Sequence, residues 1–180
     1  MDNLKEIRVD RKEIYDGRVL HFFVDTVRLP SGELATRELC EHIGAVAVVA
    51  LTNDKKVIME RQYRHPHGRV FYEIPAGKLD SPDEDIKCAA LRELREETGA
   101  SAERIEYLGE IDTTPALINE KIHLFLAEGL TFGERSLDED EFLDVELIPL
   151  EKLCDMVMSG EIKDAKTVIA ILKLARICGV

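Results

Sequence analysis

Residues 91–99 read LRELREETG, and any fold of this chain has to accommodate the three glutamates within it, Glu93, Glu96 and Glu97. The surrounding residues predict a helix over 83–98. Ser81 or Asp83 suits its N-cap, Pro82 its first turn, and Gly99 the left-handed position just past its end. At about 100° per residue, Ile86, Ala90, Leu94 and Leu91 form an apolar arc, with Glu97 and Glu93 within about 20° of Ile86 and Glu96 about 80° away. A solvated run of acids belongs opposite the core, but these acids border it. Glu97 is therefore expected to be partly buried, where an unpaired carboxylate is costly. Arg92 can pair with Glu96 one turn on, whereas Arg95 lies too far round to neutralise the stripe. The remaining charge calls for a cation. Oxygen donors without thiolate or imidazole point to a hard ion, Mg²⁺ or Mn²⁺. On the wheel alone, a solvated acidic edge is the alternative.

The rest of the chain narrows the class. Its 180 residues suit one domain, or one domain with an attached subdomain, and a hydrophobic fraction of 45% supports a core. Lys and Arg number 24 against 36 Asp and Glu, a net charge of −12, which argues against nucleic acid or an anionic membrane as the main partner. Cys40, Cys88, Cys154 and Cys178 are far apart and form no zinc-type spacing. The start, MDNLKEIRVDRKE, has no apolar signal-peptide core, and no later run approaches a membrane span, so a reduced, cytoplasmic protein is expected.

Residues 5–42 predict a β-meander, with turns at Asp16-Gly17 and in LPSGEL. IGAVAVVAL (43–51) reads as a buried strand, and VIMERQYR (57–64) and RVFYEIP (69–75) as further strands, the last ended by Pro75 and Gly77. Strands are expected at 105–112, 120–128 and 143–149, and helices at 150–158 and 164–177. This order gives an α+β domain preceded by an N-terminal β-subdomain. A parallel α/β sheet fits poorly, because too many strands lack helices between them.

The segment GKLDSPDEDIKCAALRELREETGA (77–100) resembles the Nudix box, G-x5-E-x7-R-E-U-x-E-E-x-G-U, where U is a bulky apolar residue. Gly77, Glu84, Arg92, Glu93, Leu94, Glu96, Glu97 and Gly99 fill its fixed positions. Six residues rather than five separate Gly77 from Glu84, with Asp83 at the five-residue spacing, and Ala100 is small for the last position. TRELCEHIGAVAVVAL, RQYRHPHGRVFYEIPAGKL, EKIHLFLAEGL and DEDEFLDVELIPLEKL extend the resemblance to the ADP-ribose pyrophosphatase branch. So does Pro115, sixteen residues past Gly99, although TTPALINE departs from the branch's usual Pro-Gly-aromatic loop.

The resemblance implies a Nudix-type α/β/α sandwich with a mixed sheet over 43–180 and an antiparallel β-subdomain over 1–42. It implies Mg²⁺-dependent, or Mn²⁺-dependent, hydrolysis of ADP-ribose to AMP and ribose 5-phosphate. Another nucleoside diphosphate sugar, a dinucleoside compound, or a non-catalytic ADP-ribose sensor stand as alternatives. By the same resemblance Glu93, Glu97, Glu96 and the Ala76 carbonyl would hold metal, and Arg92 would orient the glutamates. In LDEDEFLD (137–144), Glu139 first and Glu141 second are candidates for the base that prepares the water. Arg37, Arg64 and Glu73 would serve the substrate. Phe22 or Phe23 is a candidate adenine stack, set against a plain core role. His65 and His67 in RHPHG are expected in a proline turn at the site's rim rather than on a metal. A homodimer, built by the N-terminal strands with residues shared between active sites, is also implied.

Overall fold

The computed structural model describes residues 4–139 and 141–180, and the chain divides into two compact units. The first comprises Met1–Ile43 and Asp112–Lys121. It is the expected meander: β1 (Ile7–Asp16), β2 (His21–Arg28) and β3 (Leu34–Glu41), antiparallel in the order β1-β2-β3. Gly32 takes φ +92° in the second turn, a conformation that few other residues adopt. On central β2, Asp25 is buried and receives a fork from Arg11 (Nε to Oδ1 2.6 Å, Nη2 to Oδ2 2.8 Å). The same guanidinium lies 4.4 Å from the Phe23 ring centroid. Residues 112–121 join this unit through backbone bonds, with Cys40 N–H donating to the Leu117 carbonyl at 2.8 Å and His42 N–H to Asn119 Oδ1 at 2.8 Å.

The second unit, Gly44–Ile111 with Ile122–Val180, carries a mixed sheet, an antiparallel sheet and, among the described residues, three α-helices. All six residues of β4 (Ala45–Ala50) are buried, as a continuous apolar run requires of a strand covered on both faces. β4 pairs in parallel with β9 (Lys121–Phe132) and antiparallel with β7 (Ala76–Lys78), in a sheet ordered β7-β4-β9-β8, where β8 is Ala100–Asp112. β10 (Leu143–Pro149), β5 (Lys56–Arg64) and β6 (Arg69–Glu73) form an antiparallel sheet with β5 in the centre. Alternate residues of β4 and β5 feed two cores. Val46, Val48, Ala50 and Ile58 pack with Ala89, Ala90 and Leu94 of α1 (Ile86–Thr98). Ala47, Val49, Val57 and Met59 pack with Leu153 of α2 (Leu150–Met158) and Ile171 and Leu174 of α3 (Ala165–Cys178). Helices thus cover both sheet faces, which is the expected α/β/α sandwich.

Three local expectations are corrected. α1 begins at Ile86 rather than 83, because Asp85 and not Ser81 or Asp83 is its N-cap; the Asp85 carboxylate accepts from the N–H groups of Lys87 (3.0 Å) and Cys88 (2.9 Å). Pro82 therefore lies in the preceding turn. β7 was not anticipated, since Pro75 and Gly77 read as terminators, yet the three-residue strand pairs Gly77 with Val46. β8 starts at Ala100 rather than 105, directly after Gly99 (φ +73°) ends the helix. No helix among the described residues is long and apolar enough to cross a membrane.

Candidate active site

The helix wheel's placement of the acids holds in three dimensions. Glu97 is 3% exposed, on the face of α1 that packs against the sheet, and its Oε2 accepts from the Ala76 N–H at 2.9 Å. β7 therefore serves to bring a backbone donor, and the Ala76 peptide with it, to the helix. At Gly77 an added Cβ would fall 2.1 Å from the Glu93 carboxyl carbon, so only glycine leaves room for that carboxylate against the strand. Arg92 lies over the outer side of the stripe. Its Nη1 donates to Glu93 Oε1 (2.7 Å) and Glu96 Oε2 (3.2 Å), and its Nη2 to Glu84 Oε1 (3.3 Å) and the Lys78 carbonyl (3.3 Å). Glu84 also accepts from the Asp80 N–H at 2.6 Å, which ties the loop before the helix to the same arginine.

Burial raises the proton affinity of Glu93 above the ordinary glutamate value, an effect that Arg92 opposes. Glu97 is raised further, first by burial and then by the negative charges of Glu60, Glu93 and Glu141.

Two of these groups were not foreseen as a pair. Glu60 on β5 stands directly opposite Glu73 on β6 in the strand register, and each is 3% exposed. Like charges in that position repel, and the two are treated differently. Arg64 forks onto Glu73 (Nε to Oε1 2.7 Å, Nη2 to Oε2 2.7 Å) and buried Lys166 donates to Oε2 as well. These cations overcome the cost of burial and hold Glu73 down at about 2. Glu60 Oε1 is a buried oxygen with no hydrogen-bond partner among the described residues, and burial followed by the charges of Glu141 and Glu73 pushes Glu60 up to about 8. Glu60 and Lys166 escaped sequence reasoning. The signal for Glu60 was present: within VIMERQYR it occupies the same strand face as Ile58, an acid at an apolar position.

The remaining candidates are distributed as follows. Arg64 is half-exposed and, with His67, Phe71 and Lys166, lines a cavity of about 280 Å³ beside Glu73. His65–His67 form a 3-10 turn closed by Gly68 at φ +64°, so the proline turn is present where expected. Glu141 is half-buried and lines a cavity of about 370 Å³ with Arg61 and Tyr63, and its charge acts on Glu60, Glu93 and Glu97. Glu139 is exposed, and Asp140 between the two lies outside the described residues. Arg37 belongs to the first unit, where it forks onto Glu6 with Nε to Oε2 at 3.0 Å. Phe22 and Phe23 are half-buried on β2 in that unit.

Among the described residues, no three acids or imidazoles already stand close enough to hold an ion. The donor chemistry nevertheless fits a hard divalent cation. The donors are carboxylate and peptide oxygens, the buried charge exceeds what Arg92 neutralises, and one buried carboxylate oxygen, Glu60 Oε1, has no partner among the described residues.

Helices thus lie on both faces of a mixed sheet, and the glutamates of α1 cluster against the Gly77 strand. Residues 41–170 match the model of the NUDIX domain, and the chain belongs to the Nudix hydrolase family. It is 43% identical over 173 residues to the ADP-ribose pyrophosphatase of Bacillus subtilis, covering 95% of this chain and 93% of that protein. It is 44% identical over 169 residues to the methanol dehydrogenase activator of Bacillus methanolicus, covering 93% and 91%. In fold it is similar to a crystal structure of an ADP compounds hydrolase, with a TM-score of 0.84 at 22% identity, over 96% of this chain and 93% of that one.

Proposed function

We propose that the protein hydrolyses the pyrophosphate bond of ADP-ribose, giving AMP and ribose 5-phosphate, with Mg²⁺ as cofactor and Mn²⁺ as a substitute. The observation that carries this reading is the under-neutralised cluster of acids: Glu97 bonded to the Ala76 N–H, Glu93 packed against Gly77, and buried Glu60 whose charge acts on Glu97. Its support from known proteins is the relative named for this activity. Glu93, Glu97, Glu96 and the Ala76 carbonyl would hold the cation, which supplies charge neutralisation at the pyrophosphate and a more acidic bound water. Arg92 orients Glu93 and Glu96 through the bonds described above.

In the reaction a water oxygen forms a bond to one phosphorus, the bridging P–O bond breaks, and the water's proton passes to a base. Glu139, the first candidate on sequence, or Glu141, the second, would be that base; Glu139 is exposed, whereas Glu141 is half-buried in a cavity and its charge acts on Glu60, Glu93 and Glu97. Arg64, held by Glu73 and half-exposed in a cavity, suits a phosphate oxygen. Arg37 is assigned to the substrate on the family resemblance. A homodimer and a cytoplasmic location belong to the same proposal. The dimer is supported by apolar Ile7, Val9, Ile14 and Tyr15, left exposed on β1.

The test is to incubate the protein and Mg²⁺ with ADP-ribose, other nucleoside diphosphate sugars including GDP-mannose, and dinucleoside compounds, and to identify products by chromatography. AMP and ribose 5-phosphate in equal amounts from ADP-ribose are expected. Preference for another member reassigns the substrate, and turnover of none removes the enzymatic reading in favour of a sensor. The relative named as an activator supports a second reading, in which the chain stimulates an alcohol dehydrogenase. An unchanged methanol dehydrogenase rate on adding this protein would dismiss it.

A further inference from the structure

Glu60 asks for an explanation that the residues discussed so far do not supply. It sits on the central strand of the β10-β5-β6 sheet, with Val145 on one side and Glu73 on the other. Strand alternation places it on the side of Ile58, and Ile58 packs in the core under α1 with Leu94 and Ala90. Glu97 is buried on that side as well, bonded to Ala76. Arg64 and Lys166, whose positive charge reaches Glu60, are both bonded to Glu73. No donor within the described residues reaches Glu60 Oε1. A buried acceptor left unmade is destabilising, more so when charged, and an apolar residue at this position would avoid that cost altogether.

We infer that Glu60 is a further carboxylate of the divalent-cation site, contributing from the sheet opposite the glutamates of α1, directly or through one bound water. This rests on the metal site proposed above and extends it beyond the helix. The group with which Glu60 is completed is then the cation itself, and Glu73, one strand away, is kept out of that role by Arg64 and Lys166. The site so formed draws on α1, β7 and β5.

The test uses the full chain stripped of metal with a chelator, and Mn²⁺ alone as the probe, with free ion read by electron paramagnetic resonance. Glu60→Gln, nearly the same shape, should weaken Mn²⁺ binding about tenfold or more. In chelator it should melt at or above the temperature of the unsubstituted protein, and it should gain less on adding Mn²⁺. Glu97→Gln, measured in parallel, separates two failures. If Glu97→Gln weakens binding and Glu60→Gln leaves it within twofold, the inference about Glu60 is wrong and the helix site stands. If neither changes binding, the metal site itself is misplaced. Should Glu60→Gln fail to fold, a crystal of the unsubstituted protein soaked in Mn²⁺ decides. An anomalous peak bonded to Glu60 or to its water supports the inference, and a peak on Glu93 and Glu97 with Glu60 out of contact overturns it.

Discussion

Glu60 and Glu73 face each other across neighbouring strands and are equally buried, yet their surroundings drive them in opposite directions. Around Glu73 the protein supplies its own counter-charge. Arg64 and Lys166 bind it, and Lys166 is tied to Asp164 at 3.1 Å, which also receives the Thr167 N–H at 3.0 Å and caps α3. Around Glu60 and Glu97 the acids accumulate: the Ala76 N–H is bonded to Glu97, and no donor among the described residues reaches Glu60 Oε1. The first region is complete as folded. The second is, on the function proposed above, completed by a cation, and a buried acid without its counter-ion marks a working site more clearly than a satisfied ion pair does.

This contrast can be broken at several points. The largest expected effect is on chemistry: Glu97→Gln should lower ADP-ribose turnover by orders of magnitude while leaving the melting temperature in chelator equal or higher, as initial rates and thermal melts would show. An unchanged rate would mean that the acidic stripe is not the site. Gly77→Ala should reduce turnover by about tenfold or more, because the new Cβ displaces the Glu93 carboxylate from 2.1 Å. The displaced group is the end of a flexible side chain, so urea unfolding should register less than about 1 kcal/mol. On the completed side the order reverses. Lys166→Met leaves Glu73 with one cation and should destabilise by about 3 kcal/mol in urea, since removing one partner of a buried charge pair is costly.

Acidity sharpens the same comparison. The folded pKa of Glu73 lies below its unfolded value, so its contribution is full above about pH 4.3 and is lost as the pH falls toward about 2. Glu60 and Glu97 are raised, so the folded chain binds protons that the unfolded chain has released, and stability falls as the pH rises above about 4.3. Urea midpoints between pH 5 and 8 should therefore decline in chelator and decline less in Mg²⁺. A flat profile in chelator would remove the contrast. The smallest expected effect tests the scaffold: Asp85→Ala should cost about 1 kcal/mol of stability through the lost N-cap, read in the same urea titration.

The sequence carried much of this. The buried run of β4, the meander of the first unit and the two closing helices follow from periodicity and turn residues, and the apolar arc of α1 by itself puts Glu97 at the core. The rest depends on pairing between distant segments, which no local pattern encodes. Asp85 wins the cap because its carboxylate reaches two N–H groups, although Ser81 and Asp83 are equally good residue types. β7 forms at an expected break because β4 offers it an edge. Glu60 acquires its meaning only from register, which sets it opposite Glu73 and on the side of α1.

The most direct test of the central claim is ADP-ribose turnover by the unsubstituted protein in Mg²⁺, after chelation, and after Mg²⁺ is restored. Equal yields of AMP and ribose 5-phosphate, abolished by the chelator and recovered with the ion, are expected. Turnover that persists at full rate in chelator, or no turnover in Mg²⁺, would contradict a site whose buried glutamates are completed by a cation.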